Sequence, residues 1–590
     1  MALNLQKFRW ALGQHPIAYM SAEFGLDDRL HIYSGGLGIL AGDIIRAAND
    51  LELPFVAVGL LYKEGYFRQK IDKNGQSEEY PIMNIAEAPV NLVIDTDGDP
   101  IKISIPVEHH LIHFQIWEYS EGDVSVYLLD TDVPENTPEH QLITRRLYGG
   151  DKETRILQEM VLGIGGVRAL DALHIHPSIY HLNEGHSAFA IFEITHHYMK
   201  ELGMFFQEAY EYAAKKIVFT NHTLVPAGNE VFPNSLVKQY LECYTKELGL
   251  EIDYVLHKGK SPDQADQFGM STLALDMAAR VNAVSKLHAK MAKEVWPDHE
   301  MVGITNGVHL PTWVSADLKA QAPNFDLELL EKLPAEAIWR LHEMAKFRLL
   351  DEVEYRTGKE LDKDTIIITW ARRFASYKRP EILFEDISRL KEMIFQVHQP
   401  VQFLMAGKAH PRDDVGHKII KNIVNAIHDH GLEDHFVFIP NYNMALADVL
   451  VAGSDVWLNT PYRGKEASGT SGMKAAANGV LQCSVSDGWV DEIDLNGVGW
   501  EIPDKNTGKH VYEIFEKKVI PLYYKRNANG IPEEWVERMR KTMAVAWSGF
   551  SANRMLKDYI EFLYQPTLEL ELKVKHNHNW RRRYRIKHAD

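Results

Sequence analysis

Short runs of apolar and β-branched residues recur along the chain, each followed by glycine or polar residues and then by a stretch with helical periodicity. Continuous apolar runs of this kind are typical of strands buried on both faces of a parallel sheet. They occupy residues 54–62, 178–183, 216–222 and 280–285 in the first half, and 365–373, 401–408, 435–440, 455–461 and 479–488 in the second. The pattern therefore predicts an α/β protein.

The two series of runs are separated by residues 314–360, which are rich in Glu, Leu and Ala and are predicted to be helical. A chain of 590 residues is too long for one core. We therefore predict a first domain at 1–310, a second at 311–545, and a helical segment with a basic tail at 546–590. Alternating residues and Asp-Gly turns within 70–130 predict antiparallel hairpins inserted in the first domain.

Composition excludes several classes of function. A formal net charge of -18 opposes general binding to nucleic acid, because phosphate neutralisation needs a basic surface. Only two cysteines are present, and no apolar run is long enough to span a membrane. The N-terminus lacks the features of a signal peptide. We therefore expect a cytoplasmic protein. The basic tail at 580–587 is interpreted as a solvated terminus, with contact to an acidic partner or a neighbouring subunit as the alternative.

Two glycine-rich loops are candidates for binding anions. Ser34–Gly38 reads SGGLG and connects a strand-like stretch to a helix-like one, and 468–472 reads SGTSG before a helix predicted to begin near Met473. Glycines let backbone amides surround an anion, and a helix N-terminus adds partial positive charge. Neither loop has the spacing of a dinucleotide or Walker loop. A tight turn is the alternative function of the glycines.

Lys474 is predicted to lie in the first turn of that second helix, where the helix dipole opposes a cation. A bound anion or a modified amine, such as a Schiff base, would remove the conflict. An exposed lysine is the alternative, at a cost of up to about 1 kcal/mol.

Four basic residues follow directly after a predicted strand, at the end of the strand where ligands bind in parallel sheets: Arg372, Arg373, Lys378 and Arg379. Together with the two loops, they predict more than one phosphate-like group in one cleft.

Six sequence motifs resemble those of the α-glucan phosphorylases, which act on glycogen, starch or maltodextrin. They are SGGLG, NEGHSAFA (183–190), FTNHT (219–223), ITNGVHLPTW (304–313), ARRFASYKRP (371–380) and EASGTSGMKAAANG (466–479). The resemblance runs from 18 to 493. It implies the GT-B glycosyltransferase fold, in which two Rossmann-like domains face an interdomain cleft, and phosphorolysis of α-1,4-glucan to α-glucose 1-phosphate with retention.

The resemblance also implies a cofactor and a role for each site residue. Lys474 matches the lysine that forms a Schiff base with pyridoxal 5′-phosphate, whose own phosphate relays a proton. The remaining matches are Gly36, Arg372, Thr470, Ser471 and Trp313 around the cofactor, Arg373 and Lys378 on the substrate phosphate, and His222, Asn306, Tyr377, Glu466, Ser468 and Gly469 at the glucosyl subsite. Catalysis is expected to depend on Lys474, Arg373, Lys378 and His222.

Two departures point to a short bacterial and archaeal branch of the family. Animal and plant members have His where this chain has Ala375, and Gly-Asn where it has Ser471-Gly472. The short chain also puts allosteric control in doubt. Family members are commonly homodimers, so the resemblance implies a homodimer that the residues themselves do not show.

Two other functions remain open. A nucleotide-sugar-dependent glucan synthase has the same fold, but related enzymes have glutamate at the position of Lys474. The second alternative is a non-catalytic glucan-binding relative. The chain has 28 histidines, several of them clustered, but we predict no metal site because no carboxylate or cysteine accompanies them at ligand spacing. Glu184 and His186 are left open between the cleft and the core.

Overall fold

The computed structural model describes residues 4–223, 230–261 and 266–570. None of the helices in these ranges is both long and apolar enough to cross a membrane. The predicted basic tail lies outside the described residues, as do His576 and His578.

The first half of the chain builds a ten-stranded mixed sheet. Its parallel strands, in spatial order, are Val302–Gly303, Arg280–Ala283, Ile217–Asn221, Ile179–Asn183, Ile17–Met20, Phe55–Leu60 and Val124–Asp130. Antiparallel strands follow at His110–Glu121 and Asn91–Leu92, with Lys102–Val107 also paired to His110–Glu121. The four apolar runs predicted as strands in this half are confirmed, and the insert contains the expected antiparallel pairs.

The second half builds a six-stranded sheet in which every pair is parallel. Its order is Phe436–Ile439, Val401–Ala406, Ile366–Ala371, Val456–Asn459, Leu481–Ser484 and Gly499–Glu501. The first five are confirmed predictions. The short edge strand at Gly499–Glu501 was not predicted, because its three residues are too few to form an apolar run.

Helices cover both sheets and bury the apolar faces. The helices up to residue 300 are Leu5–Leu12, Gly36–Asp50, Pro138–Gln141, Lys152–Met160, Gly166–Ala172, Ala190–Leu202, Phe206–Ala214, Asn234–Glu247, Ile252–Lys258, Met270–Met277 and Lys286–Val295. Those that follow are Leu310–Trp313, Ala316–Gln321, Leu327–Lys332, Ala335–Thr357, Ile387–Ile394, Asp414–Asp429, Met444–Gly453, Thr470–Ala477, Thr507–Ile514, Ile520–Tyr524, Glu533–Gly549 and Ala552–Tyr559.

Two hydrophobic cores result, one around each sheet. The helix Ala552–Tyr559 and the π-helix Ile560–Tyr564 pack into the first core although they follow the second sheet in the chain. Tyr564 is hydrogen-bonded through its hydroxyl to His181 Nδ1 at 2.6 Å. The consecutive helices Glu533–Gly549 and Ala552–Tyr559 therefore pack in the second and the first core respectively, and the predicted division into domains stays a prediction.

A buried carboxylate fixes the start of the second sheet. Asp455 accepts hydrogen bonds from Lys346 Nζ at 2.8 Å, His342 Nε2 at 2.7 Å and the amide of Ile367 at 2.7 Å. Lys346 lies on the helix Ala335–Thr357, so this group of residues ties that helix to two strands. Removing one member of a buried pair leaves an uncompensated charge.

We therefore expect Asp455→Ala to destabilise the fold by about 3–5 kcal/mol, since Lys346 would lose its buried counterion. The thermal unfolding midpoint of the purified protein measures the effect. Asp364→Ala is the matched control, because its ion pair with Lys363 is exposed to solvent. Equal midpoints for the two variants would contradict the assigned role of Asp455.

Candidate active site

A cavity of about 880 Å³ lies between the carboxyl ends of the strands of the two sheets. All fourteen predicted site residues line it: Gly36, His222, Asn306, Trp313, Arg372, Arg373, Tyr377, Lys378, Glu466, Ser468, Gly469, Thr470, Ser471 and Lys474. Glu184 and His186, which were left open, line it as well. The structure thus brings together residues that are separated by more than 400 positions in the chain.

The first glycine-rich loop leads into the helix Gly36–Asp50, with Gly35 as its N-cap. The residues immediately before the loop form no strand, so the strand-like stretch predicted there was wrong; residues 29–35 have no regular structure. The Ser34 amide donates to Glu23 Oε2 at 2.6 Å and the Gly35 amide donates to the same oxygen at 3.3 Å. A Cβ atom added at Gly35 or Gly36 would meet no atom within 4 Å. The start of this helix therefore faces open space in the cavity.

Lys474 lies on the helix Thr470–Ala477, with Gly469 as its N-cap at φ 81°. The helix begins at Thr470 rather than near Met473, so Lys474 is its fifth residue and the predicted conflict with the helix dipole was wrong. The lysine is buried all the same, with 6% of its surface exposed. Burial lowers the pKa of its amine to about 8, while Asp43 acts in the opposite direction. Burial thus raises the fraction of the amine that is neutral and reactive near physiological pH, although the protonated form is still the larger one at pH 7.

Trp313 forms one wall beside this amine. Lys474 Nζ lies 3.6 Å from the centroid of the Trp313 ring, and Trp313 Nε1 donates to both carboxylate oxygens of Asp43 at 3.0 Å. Asn478 Nδ2 donates to the carbonyl oxygens of Trp313 at 2.7 Å and of Lys474 at 3.0 Å. Two side chains therefore fix the ring against the lysine, one of them from the first half of the chain.

Arg372 is a buried cation with few partners. Its Nη2 donates to the Leu458 carbonyl oxygen at 3.1 Å, and its buried Nε has no hydrogen-bond partner among the described residues. Burial lowers the pKa of the guanidinium. An unsatisfied buried donor on a charged group is costly. An anion in the cavity would supply the missing acceptor.

Lys378 and Glu466 form an ion pair at the other side of the cavity. Burial acts to raise the pKa of Glu466, but Lys378 and Arg372 outweigh it and the pKa is lowered. The Glu466 amide donates to Asp487 Oδ2 at 2.9 Å, and burial raises the pKa of Asp487 to about 6. Arg373 is exposed toward the cavity. Its charge is thus available to a ligand.

His222 and Asn306 lie on the side formed by the first sheet. His222 Nε2 donates to Asn183 Oδ1 at 2.6 Å, and removal from solvent lowers the pKa of the imidazole to about 3. His222 is therefore neutral at physiological pH. Asn306 Oδ1 and Ser468 Oγ are buried with no hydrogen-bond partner among the described residues. These groups suit a ligand that offers several hydroxyl groups.

Comparison with known proteins agrees with this geometry. A family profile described as carbohydrate phosphorylase matches residues 156–322 and 327–503. The chain is similar to the maltodextrin phosphorylase of Thermococcus litoralis, with 38% identity over 94% of this chain and 71% of the relative. It is also similar to the glycogen phosphorylase of Aquifex aeolicus, with 36% identity over 94% of this chain and 87% of the relative. The chain belongs to the carbohydrate phosphorylase family.

Several groups in the site of this phosphorylase family member were not predicted from sequence. Glu23 lies within the range 18–493 that the resemblance covers, and Asp43 lies on the predicted helix, but no local signal separates them from structural acids. Both become recognisable only through what they contact: Glu23 binds the glycine-rich loop and Asp43 binds Trp313.

Two groups of histidine and carboxylate side chains lie close together in the described residues, and the prediction that the chain has no metal site stays a prediction. Asp171, His176 and His197 offer ligand atoms within 4.8 Å of one another, and so do Glu159, His186 and Glu230. In the second group Arg155 forms ion pairs with both glutamates at 3.2 and 3.0 Å. Asp171 and His176 are neighbours in the chain, but His197 and the three residues of the second group come from separate segments, which spacing within a short segment cannot reveal.

The Asp43 carboxylate favours the charged form of the Lys474 amine, so Asp43→Asn should lower the pKa of Lys474 below about 8. Asparagine keeps an acceptor for Trp313 Nε1. The measurement is the pH profile of Lys474 acetylation by acetic anhydride, read by peptide mass spectrometry after hydroxylamine treatment to free any Schiff base. Asp50→Asn, at the end of the same helix, is the control. An unshifted profile in Asp43→Asn would show that the carboxylate does not influence the amine.

Proposed function

We propose that this protein catalyses phosphorolysis of α-1,4-glucan with inorganic phosphate, releasing α-glucose 1-phosphate with retention of anomeric configuration. The observation that carries the proposal is the lining of one cavity by a buried lysine of lowered pKa and by Arg372 and Arg373, which form no ion pair with a carboxylate among the described residues. Relatives named maltodextrin and glycogen phosphorylase support the substrate class.

The arrangement of the chain is proposed to be the GT-B fold, with Rossmann-like domains at 1–310, including the insert at 70–130, and at 311–545. The parallel sheets, the two cores and the cavity between them support this division. We further propose that the described part of the segment 546–590 that follows Phe550 belongs to the first domain, because Ala552–Tyr559 packs in the first core whereas Ala546 and Trp547 pack in the second. A homodimer and a cytoplasmic location are parts of the same proposal.

The residues present fit pyridoxal 5′-phosphate. Lys474 offers a partly neutral amine beside the flat face of Trp313, and Arg372 has an unsatisfied donor suited to a phosphate. Gly36 and the helix start at Thr470 and Ser471 provide amides and hydroxyls around open space. When bound, the cofactor would supply a phosphate group that relays a proton to the departing glycosidic oxygen.

Arg373 and Lys378 are proposed to bind the substrate phosphate. Two phosphate groups in one cavity repel each other unless cations and backbone dipoles surround them. Arg373 is exposed to the cavity and has a planar fork of donors that suits phosphate. Lys378 is paired with Glu466, which lowers the cost of its burial until an anion arrives.

The glucosyl unit is proposed to lie against His222, Asn306, Tyr377, Glu466, Ser468 and Gly469. Neutral His222 binds hydroxyl groups rather than donating a proton as an imidazolium, since its pKa is about 3. Glu466 has lone pairs beyond its bond to Lys378, and it is ionised because its pKa is lowered. Glu466 therefore accepts hydrogen bonds from sugar hydroxyls. Retaining glycosidases use two carboxylates, one of them a nucleophile, for the corresponding task.

Two alternatives are tested by the same observations. A nucleotide-sugar-dependent glucan synthase would not need a buried lysine of lowered pKa at position 474. A non-catalytic glucan-binding relative would have no reason to keep Arg372 buried without a carboxylate partner. Phosphate release from glucose 1-phosphate with a maltooligosaccharide primer separates phosphorolysis from both.

Lys474→Ala is expected to abolish the absorbance of bound pyridoxal and nearly all phosphorolysis, because the amine that tethers the cofactor is gone. The absorbance spectrum of the purified protein, before and after borohydride, measures the first effect, and peptide mapping locates the trapped lysine. Lys465→Ala, nine positions earlier, is the control and should keep the spectrum. A Lys474→Ala enzyme that retained phosphorolysis without the cofactor would eliminate the proposed cofactor-dependent mechanism.

Arg373→Lys is expected to lower phosphorolysis more than tenfold, or roughly 1.4 kcal/mol, because an ammonium group cannot reproduce the fork of a guanidinium. Initial rates at varied phosphate concentration measure the effect. Arg389→Lys, in a surface ion pair with Glu516, is the control. Unchanged phosphate dependence in Arg373→Lys would contradict the assignment of the substrate phosphate to this residue.

A further inference from the structure

A small hairpin from the first half of the chain docks onto the second half. It consists of the strands Arg68–Asp72 and Gly75–Glu79, which pair only with each other. Most of its side chains are exposed or partly exposed, but Gln69 is buried, with 3% of its surface exposed. A buried glutamine on an otherwise polar hairpin must find hydrogen-bond partners, and those partners lie in the second half.

Gln69 binds two loops at the carboxyl edge of the second sheet. Its Nε2 donates to the Gly407 carbonyl oxygen at 2.8 Å, and its Oε1 accepts from the Asn441 amide at 2.9 Å. Its own backbone amide donates to Asn441 Oδ1 at 3.3 Å. One side chain therefore connects the loop after Val401–Ala406 to the loop after Phe436–Ile439.

Gln76 also binds the carboxyl edge of the second sheet, and its side-chain amide pairs with the backbone there as a peptide group of an added strand would. Its Nε2 donates to the Ala409 carbonyl oxygen at 3.0 Å, and its Oε1 accepts from the Ala409 amide at 3.0 Å. The same Oε1 also accepts from Gln69 Nε2 at 2.8 Å. The two glutamines thus form one network of neutral amides along residues 407–409.

The opposite side of residues 407–409 contacts the arginine loop. The Arg372 amide donates to the Ala406 carbonyl oxygen at 3.1 Å, and the Phe374 amide donates to that of Lys408 at 2.9 Å. Gly407 has φ 148°, and a Cβ atom there would come within 1.9 Å of the Arg372 carbonyl oxygen. The backbone at 407–409 is therefore held tightly between the hairpin and the segment 372–374.

We propose that Gln69 and Gln76 are positioning residues for phosphorolysis: they hold the segment 407–409, and through it Arg373, in register with the first half of the cleft. This inference rests on the proposed function. If the two halves of the chain moved apart by about an ångström, the buried amides of Gln69 and Gln76 would lose their hydrogen-bond partners. These hydrogen bonds therefore stabilise one position of the hairpin relative to the second sheet. Errors of that size in positioned groups cost about 10²-fold in rate. Neutral amides also do not compete with phosphate for the cations of the cleft.

The test compares Gln69→Met and Gln76→Met with the wild-type holoenzyme. We expect each variant to lower kcat/KM for phosphate at least tenfold, while KM for a maltooligosaccharide changes less than twofold and the bound pyridoxal absorbance is retained. Gln76→Glu keeps the acceptor for the Ala409 amide but sets a carboxylate oxygen against the Ala409 carbonyl oxygen and against Glu78, to which Gln76 Nε2 donates at 3.3 Å, so we expect a loss at least as large as that of Gln76→Met. Lys70→Met is the matched control, because its ion pair with Glu79 is exposed on the same hairpin.

A second measurement needs no substrate. Hydrogen exchange at the Ala409 amide should accelerate in Gln76→Met and stay unchanged in Lys70→Met, because only the former loses the acceptor of that amide. A phosphate dependence within twofold of wild type in both methionine variants would overturn the proposal. Equal losses for phosphate and glucan, together with a lower unfolding midpoint, would overturn it as well, since they indicate a general structural role. If the proposed function itself were wrong, the wild-type protein would show no phosphorolysis. That result is distinguishable from failure of the positioning role, in which the wild-type protein is active and the methionine variants match it.

Discussion

The central constraint in this molecule is positive charge held in a cavity without enough protein carboxylates to balance it. Lys474 and Arg372 are both buried, and burial lowers the pKa of each. Asp43 attracts Lys474 but is also bound to Trp313, and Glu466 is paired with Lys378. Burying an unpaired ion costs several kcal/mol. Anionic ligands offset that cost, so their binding stabilises the folded state as well as preparing the site.

The topology explains how so many cations reach one place. Parallel strands present their carboxyl ends at one edge, and the loops that follow carry the ligand-binding groups. Arg372 and Arg373 follow Ile366–Ala371 directly, the loop before Lys474 follows Val456–Asn459, and His222 follows Ile217–Asn221. Each of these ligand-binding segments therefore follows a different buried strand, which fixes its position. The docked hairpin adds contacts across the cleft that neither sheet supplies alone.

Most strands of the two sheets and the residues that line the cavity were predictable from the sequence, because long apolar runs and glycine-rich loops are local signals. The start of the helix that bears Lys474 was not, since glycine, serine and threonine are poor helix formers and suggested a later start. Gly469, in the left-handed region, ends the loop one residue before Thr470 and allows those residues to form the first turn. The role of Gln69 could not be predicted from the sequence, because its hydrogen-bond partners Gly407 and Asn441 lie 338 and 372 positions away. Such contacts have no local sequence signature.

The charge state of the cleft at physiological pH depends on groups that ordinarily do not titrate there. Histidines usually change charge near neutrality, but burial lowers the pKa of His222 to about 3 and of His288 and His410 to about 4. Burial instead raises the pKa of Asp487 to about 6 and of Glu184 to about 7, and lowers that of Lys474 to about 8. From pH 6 to 8 the cleft therefore gains negative charge at the carboxylates and loses positive charge at any free lysine amine. Both changes weaken its attraction for anions, whereas Arg372 and Arg373 stay charged throughout. Above neutral pH the two guanidinium groups consequently carry a larger share of the attraction for phosphate. That is a physical reason to hold their loop in place with neutral amides rather than with another titrating residue.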